Sequence, residues 1–130
     1  MGAVIYLDTH VVAWLYAGQV ELLPASVMVR LEAAELKISP MVSLELEYLH
    51  EIGRLSVPGV QVVRDLALQL GLVTCDLPFA TVIEHALQQA WTRDPFDRII
   101  VAHAVAAGKE LVTKDRAIHQ HCSLALWGSA

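Results

Sequence analysis

Four acidic residues sit where a carboxylate could meet a ligand: Asp8, Glu45, Asp97 and Asp115. Converging bare carboxylates repel one another, and some take up protons. A hard divalent cation with oxygen ligands resolves the conflict. Magnesium, or alternatively manganese, therefore suits such a site, which needs no His or Cys ligand. The matching chemistry is phosphodiester hydrolysis, in which one metal lowers the pKa of a bound water and a second, if present, steadies the leaving oxygen.

Asp8 comes directly after the apolar run Ala3–Leu7, and Asp115 lies two residues beyond the apolar segment Glu110–Thr113. Each also precedes a helical stretch, so capping a free backbone N–H is the structural alternative for both. Their shared position, at the carboxyl end of a strand, would let both project into one crevice.

Glu45 is harder to explain structurally. At ~100° per residue, a helix over Pro40–Gly53 places Ile52, Glu45, Leu49, Val42 and Leu46 on one arc. Glu47, Glu51 and Arg54 fall opposite. A carboxylate within an apolar stripe must be protonated, paired or bound to metal. A salt bridge is one solution; the other acids favour a metal.

Asp97 lies in Arg93-Asp94-Pro95-Phe96-Asp97-Arg98. Asp94 followed by Pro95 marks a helix start, with Asp as N-cap and Pro in the first turn. Asp97 then stands at the third helical position, where an acid can complete a capping box or benefit from the helix dipole. Its stripe continues through Ile100, Val101 and Ala104, so its face turns inward.

Alternating short apolar runs and longer helical stretches position these residues. Strands are expected at Ala3–Leu7, Lys37–Ser39, Leu72–Thr74, Glu110–Thr113 and Leu124–Leu126. Helices are expected at Thr9–Ala17, Pro24–Leu36, Pro40–Gly53, Val60–Leu70, Pro78–Trp91, Pro95–Ala107 and Arg116–His121. Gly18, Gly53, Gly71 and Gly108 fall where helices should stop. The alternation predicts an α/β fold, a three-layer α/β/α sandwich with a central parallel sheet.

The 130 residues suit a single domain, residues 1–130, with no second core. The chain is 55% hydrophobic and 18% charged, against roughly a quarter charged for ordinary soluble domains. That balance predicts a well-filled interior and apolar surface for a second copy or a partner. No run approaches a membrane span, and the apolar start lacks a basic leader, so a cytoplasmic protein with no membrane contact is expected. Cys75 and Cys122 are then buried thiols rather than a disulfide. The net charge of −5 opposes nucleic-acid binding. The four acids account for most of it, leaving about −1 elsewhere, and bound cations would offset them.

Together, Tyr6-Leu7-Asp8-Thr9-His10, the inward Glu45, Asp94-Pro95-Phe96-Asp97-Arg98 and Leu111-Val112-Thr113-Lys114-Asp115 resemble the PIN-domain family, most closely its VapC-like toxins. The resemblance covers nearly the whole chain. It implies an endoribonuclease, homodimers and inhibition by a small cognate antitoxin protein. It also implies that Asp8, Glu45, Asp97 and Asp115 form the catalytic and metal-binding set. Leu44-Glu45-Leu46-Glu47 offers two glutamates, and the helical face selects Glu45.

Thr9 and Thr113 lie beside the acids and are expected to orient a ligand or water. Arg93, Arg98, Lys114 and Arg116 flank the site as candidates for contacts to RNA phosphates, with surface solvation as the alternative. His119, His121 and Cys122 match no usual zinc spacing, and His103 is expected to pack within its helix. Trp14, Trp91 and Trp127 are too distant in sequence to signal a base-stacking platform. The amphipathic segment Leu22–Leu36 offers a dimer or antitoxin surface beside its default core role. An aspartyl nucleophile at Asp8 would normally have a second aspartate two residues later, where His10 stands. A PIN-like module that binds RNA or protein without cutting is the remaining alternative, though it gains little from costly converging acids.

Overall fold

The computed structural model describes residues 3–128. Five strands form one parallel sheet: β1 (Val4–Leu7), β2 (Glu35–Ile38), β3 (Val73–Thr74), β4 (Glu110–Val112) and β5 (Ala125–Leu126). Their spatial order is β3-β2-β1-β4-β5. The chain thus winds outward one way through β2 and β3, then returns past β1 to β4 and β5. With right-handed crossovers, this reversal distributes helices over both faces. The helices are α1 (Thr9–Ala17), α2 (Ala25–Glu32), α3 (Pro40–Glu51), α4 (Gly59–Leu70), α5 (Phe79–Ala86), α6 (Pro95–Ala107) and α7 (Arg116–His121).

The central strands are apolar on both faces, as a covered parallel sheet requires. Ile5, Tyr6, Leu7, Leu36, Ile38, Leu111 and Val112 are buried, against Val11, Val12, Val42, Leu46, Ile100, Val101 and Ala104 from the helices. Gly18 and Gly108 end α1 and α6 at φ 72° and 65°, a left-handed conformation that costs glycine little. The edge strands β3 and β5 have only two residues each, which limits unwanted edge pairing.

Two helix ends differ from expectation. The stretch Leu31–Leu36 contains good helix formers, yet α2 stops at Glu32. Glu35 and Leu36 instead join β2, opposite Val4 and Ile5 of β1; sheet pairing overrides local propensity. The fifth helix stops at Ala86 rather than Trp91. There the Arg98 guanidinium donates to the Ala86 carbonyl at 2.8 Å and the Leu87 carbonyl at 3.4 Å, satisfying groups that a longer helix would have paired internally. A short 3-10 turn at Val20–Leu22 adds an element that the hydrophobic pattern does not signal. Cys75 and Cys122 are buried and unpaired with each other. Among the described residues no helix is long and apolar enough to cross a membrane.

Candidate active site

The sheet order reverses between β1 and β4, so a crevice opens outside their carboxyl ends. Asp8 follows β1 and caps α1, accepting the Thr9 N–H at 2.8 Å. Only 7% of it is exposed. Its other oxygen accepts the hydroxyl proton of Thr113, just after β4, at 2.6 Å. The same Thr113 oxygen accepts the Asp115 N–H at 3.1 Å. Asp115 in turn caps α7, accepting from Ala117 and Ile118 at 2.8 and 3.1 Å. Capping and convergence therefore coexist: the caps hold the acids at the crevice.

Glu45 projects from α3, half-buried, and its Oε1 accepts the Thr9 hydroxyl at 2.5 Å. Thr9 thus ties two acids, through its N–H to Asp8 and its hydroxyl to Glu45. Glu47 instead accepts the Gly59 N–H at 2.9 Å and fastens α3 to α4. The exposed Ile52, expected on Glu45's arc, lies past the end of α3.

Asp94 caps α6 by accepting the Phe96 N–H at 2.9 Å, with Pro95 next in line. Asp97, half-buried in that first turn, makes no side-chain hydrogen bond among the described residues. Asp8, Glu45, Asp97 and Asp115 all line one cavity of about 520 Å³, together with His10, Val11, Trp14, Asp94 and Lys114.

Asp94, read from the sequence mainly as a structural cap, also lines this cavity, as do His10 and Trp14. For those two the sequence pattern suggests no cavity role beyond their spacing along α1, four residues apart. The Trp14 and Trp127 rings lie 6.0 Å apart, tilted by 55°, although 113 positions separate them. Return of the chain through β5 creates this pair, which linear distance concealed. Trp91 instead stacks on His121, with ring centroids 5.0 Å apart.

The four basic candidates separate in space. Lys114 lines the acid cavity. Arg116 lines a neighbouring groove. Arg93 donates to the Ala90 carbonyl at 3.2 Å, and Arg98 caps α5 as described above. His103 is buried, with its Nδ1 2.8 Å from the Ser39 hydroxyl. His119 donates its Nε2–H to the Thr113 carbonyl at 2.7 Å, which engages the ring apart from any zinc set with Cys122.

Burial raises the pKa of all three acids from β1, α3 and α6. For Asp8, desolvation outweighs the lowering effects of Thr113, Thr9 and His10. Glu45 is raised mainly by desolvation, with the Thr9 hydroxyl opposing it and Asp8 adding repulsion. Asp97 is pushed up to about 7 by desolvation, then by Asp94, Asp8, Asp115 and Glu45. Acids whose pKa is raised by burial and by one another in a cleft mark a functional site better than ordinary surface charges do.

Among the described residues, no three acidic, His or Cys side chains stand close enough to form a ready-made metal-ligand shell. The acids line the walls at distances where charge is felt. Their chemistry nevertheless fits a hard cation: the donors are oxygens, Asp97 is free to coordinate, and mutual repulsion favours neutralisation.

The PIN domain family profile matches residues 5–124. Ribonuclease VapC22 of Mycobacterium tuberculosis (strain ATCC 25618 / H37Rv) is 33% identical over 119 residues, covering 90% of this chain and 91% of that protein. A chain of DNA-bound VapBC from Salmonella typhimurium superposes with a TM-score of 0.68 at 20% identity, covering 98% of each chain. A chain of a toxin-antitoxin complex from Klebsiella pneumoniae gives 0.59 at 15% identity, covering 94% of this chain and 95% of the other. These structures share its fold, and the near-complete family match shows that the chain belongs to the PIN-domain family.

Proposed function

We propose that this chain is a single-domain, metal-dependent endoribonuclease that hydrolyses RNA phosphodiester bonds as the toxin of a toxin–antitoxin pair. The observation that carries the reading is the meeting of Asp8, Glu45, Asp97 and Asp115, from four different parts of the chain, around one cavity. The relative named a ribonuclease supports the activity. The VapBC and toxin-antitoxin assemblies among the structural neighbours support a protein antitoxin as partner. A second copy is the natural cover for exposed apolar side chains such as Leu44, Val60 and Leu68, giving a homodimer that works in the cytoplasm.

Asp8, Glu45, Asp97 and Asp115 would hold magnesium, or manganese in its place. Such an ion would supply Lewis-acid chemistry to phosphodiester hydrolysis. Thr113 and Thr9 keep Asp8 and Glu45 in orientation through their hydroxyls. Asp97, whose pKa is pushed up to about 7, shares its proton with solvent around neutral pH, and a cation in the cavity would favour its ionised form. Lys114, at the rim, attracts the phosphate that the acids alone would repel. Val11 and Trp14 supply the apolar part of the cavity wall.

The test uses purified, partner-free protein, mixed RNA and magnesium or manganese. Cleavage is expected with metal and should disappear with chelator. Asp97→Asn should lower it by more than about 100-fold, beyond the usual cost of losing an outer-shell partner. Undiminished cleavage by Asp97→Asn sinks the mechanism. Absence of cleavage alongside tight RNA or protein binding would favour a binding module.

A further inference from the structure

Lys114 lines two cavities at once: the acid cavity and a groove of about 730 Å³ between α7 and β5. The second groove also presents Arg116, His119, Gln120 and Trp127, and no carboxylate among the described residues lines it. In a chain of net charge −5, this acid-free basic wall contrasts sharply with the cavity beside it. The Trp14–Trp127 pair forms the boundary, since Trp14 faces the acids and Trp127 faces the groove. At 55° between ring planes the two indoles do not stack face to face, and Trp127, half-buried against the core, keeps part of its ring on the groove. The groove lies within the roughly 300–1,000 Å³ typical of small-ligand sites, enough for a nucleotide.

We propose that this groove is a subsite for single-stranded RNA, in which Trp127 stacks a nucleobase while Lys114 and Arg116 hold the adjoining phosphates. The proposal rests on the ribonuclease reading and adds the path of the strand beyond the cleavage point. Charge is sorted as a polyanion requires. The phosphate to be cut would enter the acid cavity, whose carboxylates a bound cation would neutralise, and its neighbours would lie along Lys114 and Arg116. A base inside a duplex has both faces covered by its own stack, so an indole can engage only an unpaired strand. The His119 Nε2–H is engaged by Thr113, which fixes the ring on the groove wall with its Nδ1 remaining for a ligand.

The test is binding of a fluorescent unstructured RNA of about 12 nucleotides, within the site sizes of single-strand binders, in chelator to prevent hydrolysis. It is compared with its duplex and with an oligomer carrying abasic positions. The single strand should bind best. Trp127→Ala should weaken it about tenfold, within the range for loss of one base stack, and Trp127→Phe should restore most of the loss. The same Trp127→Ala change should have little effect on a fully abasic oligomer. Arg116→Gln should reduce the salt dependence of binding by about one ion. Should Trp127→Ala fail to fold, Trp127→Leu retains apolar volume without an aromatic face and must show the same loss. Equal binding by folded Trp127→Ala or Trp127→Leu and unaltered protein overturns the subsite. If Asp97→Asn still abolishes cleavage, that result leaves the ribonuclease reading standing; failure of that reading would show instead as metal-dependent cleavage that is absent or indifferent to Asp97.

Discussion

The Thr113 hydroxyl donates to Asp8 at 2.6 Å while its oxygen accepts the Asp115 N–H, so one small side chain joins the carboxyl ends of β1 and β4. Thr113 is fully buried, and Asp8 nearly so. Water therefore cannot readily replace the donated proton.

Thr113→Val keeps the shape and removes the donor. Leaving the Asp8 oxygen without this partner should cost about 1–3 kcal/mol of stability, measured by urea unfolding. Thr113 lowers the Asp8 pKa in the native protein, so its loss should raise that pKa further. The acidic limb of the cleavage profile should then move to higher pH. Thr113→Ser should restore both properties, whereas a Val variant matching the original in both would remove the positioning role.

Asp97 leads to a pH prediction in metal-free protein. Its folded pKa of about 7 lies above the ordinary aspartate value of 3.8. The folded state therefore binds more protons between those values, and this group's contribution makes stability fall as pH rises from about 4 to about 7. Above that window the penalty is complete. Asp97→Asn cannot ionise, so it should melt higher than the original at pH 8, by about 2–5 °C after allowance for its partial exposure. The difference should vanish below about pH 4, where the carboxyl is protonated in both states. Scanning calorimetry in chelator measures it, and an unchanged or lower melting temperature at pH 8 would contradict the electrostatic account.

Much of this site was legible because each acid carried a local signal. Asp94-Pro95 announced the start of α6, and the helical face separated Glu45 from Glu47. What was hidden depended on long-range return of the chain. Nothing near Trp14 indicates that β5 will bring Trp127 to it. Nor does Arg98 announce that its guanidinium will end α5, twelve residues earlier. The sheet likewise claimed Glu35 and Leu36 from a sequence with strong helix propensity, because β1 was available to pair with them.

Glu45 and Glu47 should separate in experiment. Glu45→Gln should reduce cleavage by more than about 100-fold, as for another direct cavity acid, with the fold retained. Glu47→Gln should leave cleavage intact and cost about 1 kcal/mol through its weakened link to Gly59. Paired nuclease assays and unfolding curves distinguish them; the reverse pattern would mean that the α3 assignment is wrong.

Arg98 and Lys114 make a second contrasting pair. Arg98 is engaged by two carbonyls at the end of α5, so Arg98→Ala should cost about 1–3 kcal/mol of stability. It should barely change the salt dependence of RNA binding. Lys114→Gln should do the opposite, reducing the salt slope by about one. A salt-slope change at Arg98 as large as that at Lys114 would place its charge on the RNA instead.

Gly59 tests how closely α3 must approach α4 to present Glu45. A Cβ added there would lie 2.7 Å from the Glu47 nitrogen and 2.8 Å from the Ser43 oxygen, both backbone atoms that cannot rotate aside. Gly59→Ala should therefore cost about 1–3 kcal/mol or more by overpacking. It should also lower cleavage, because relieving the clash shifts the helix that carries Glu45. Gly71→Ala is the matched control: it meets no atom within 4 Å and bears only the strain of φ +71°, about 1–2 kcal/mol. Its cleavage should survive wherever the protein remains folded. Loss of cleavage in folded Gly59→Ala but not in folded Gly71→Ala would connect the α3–α4 contact to the site; equal activity in both would confine Gly59 to stability.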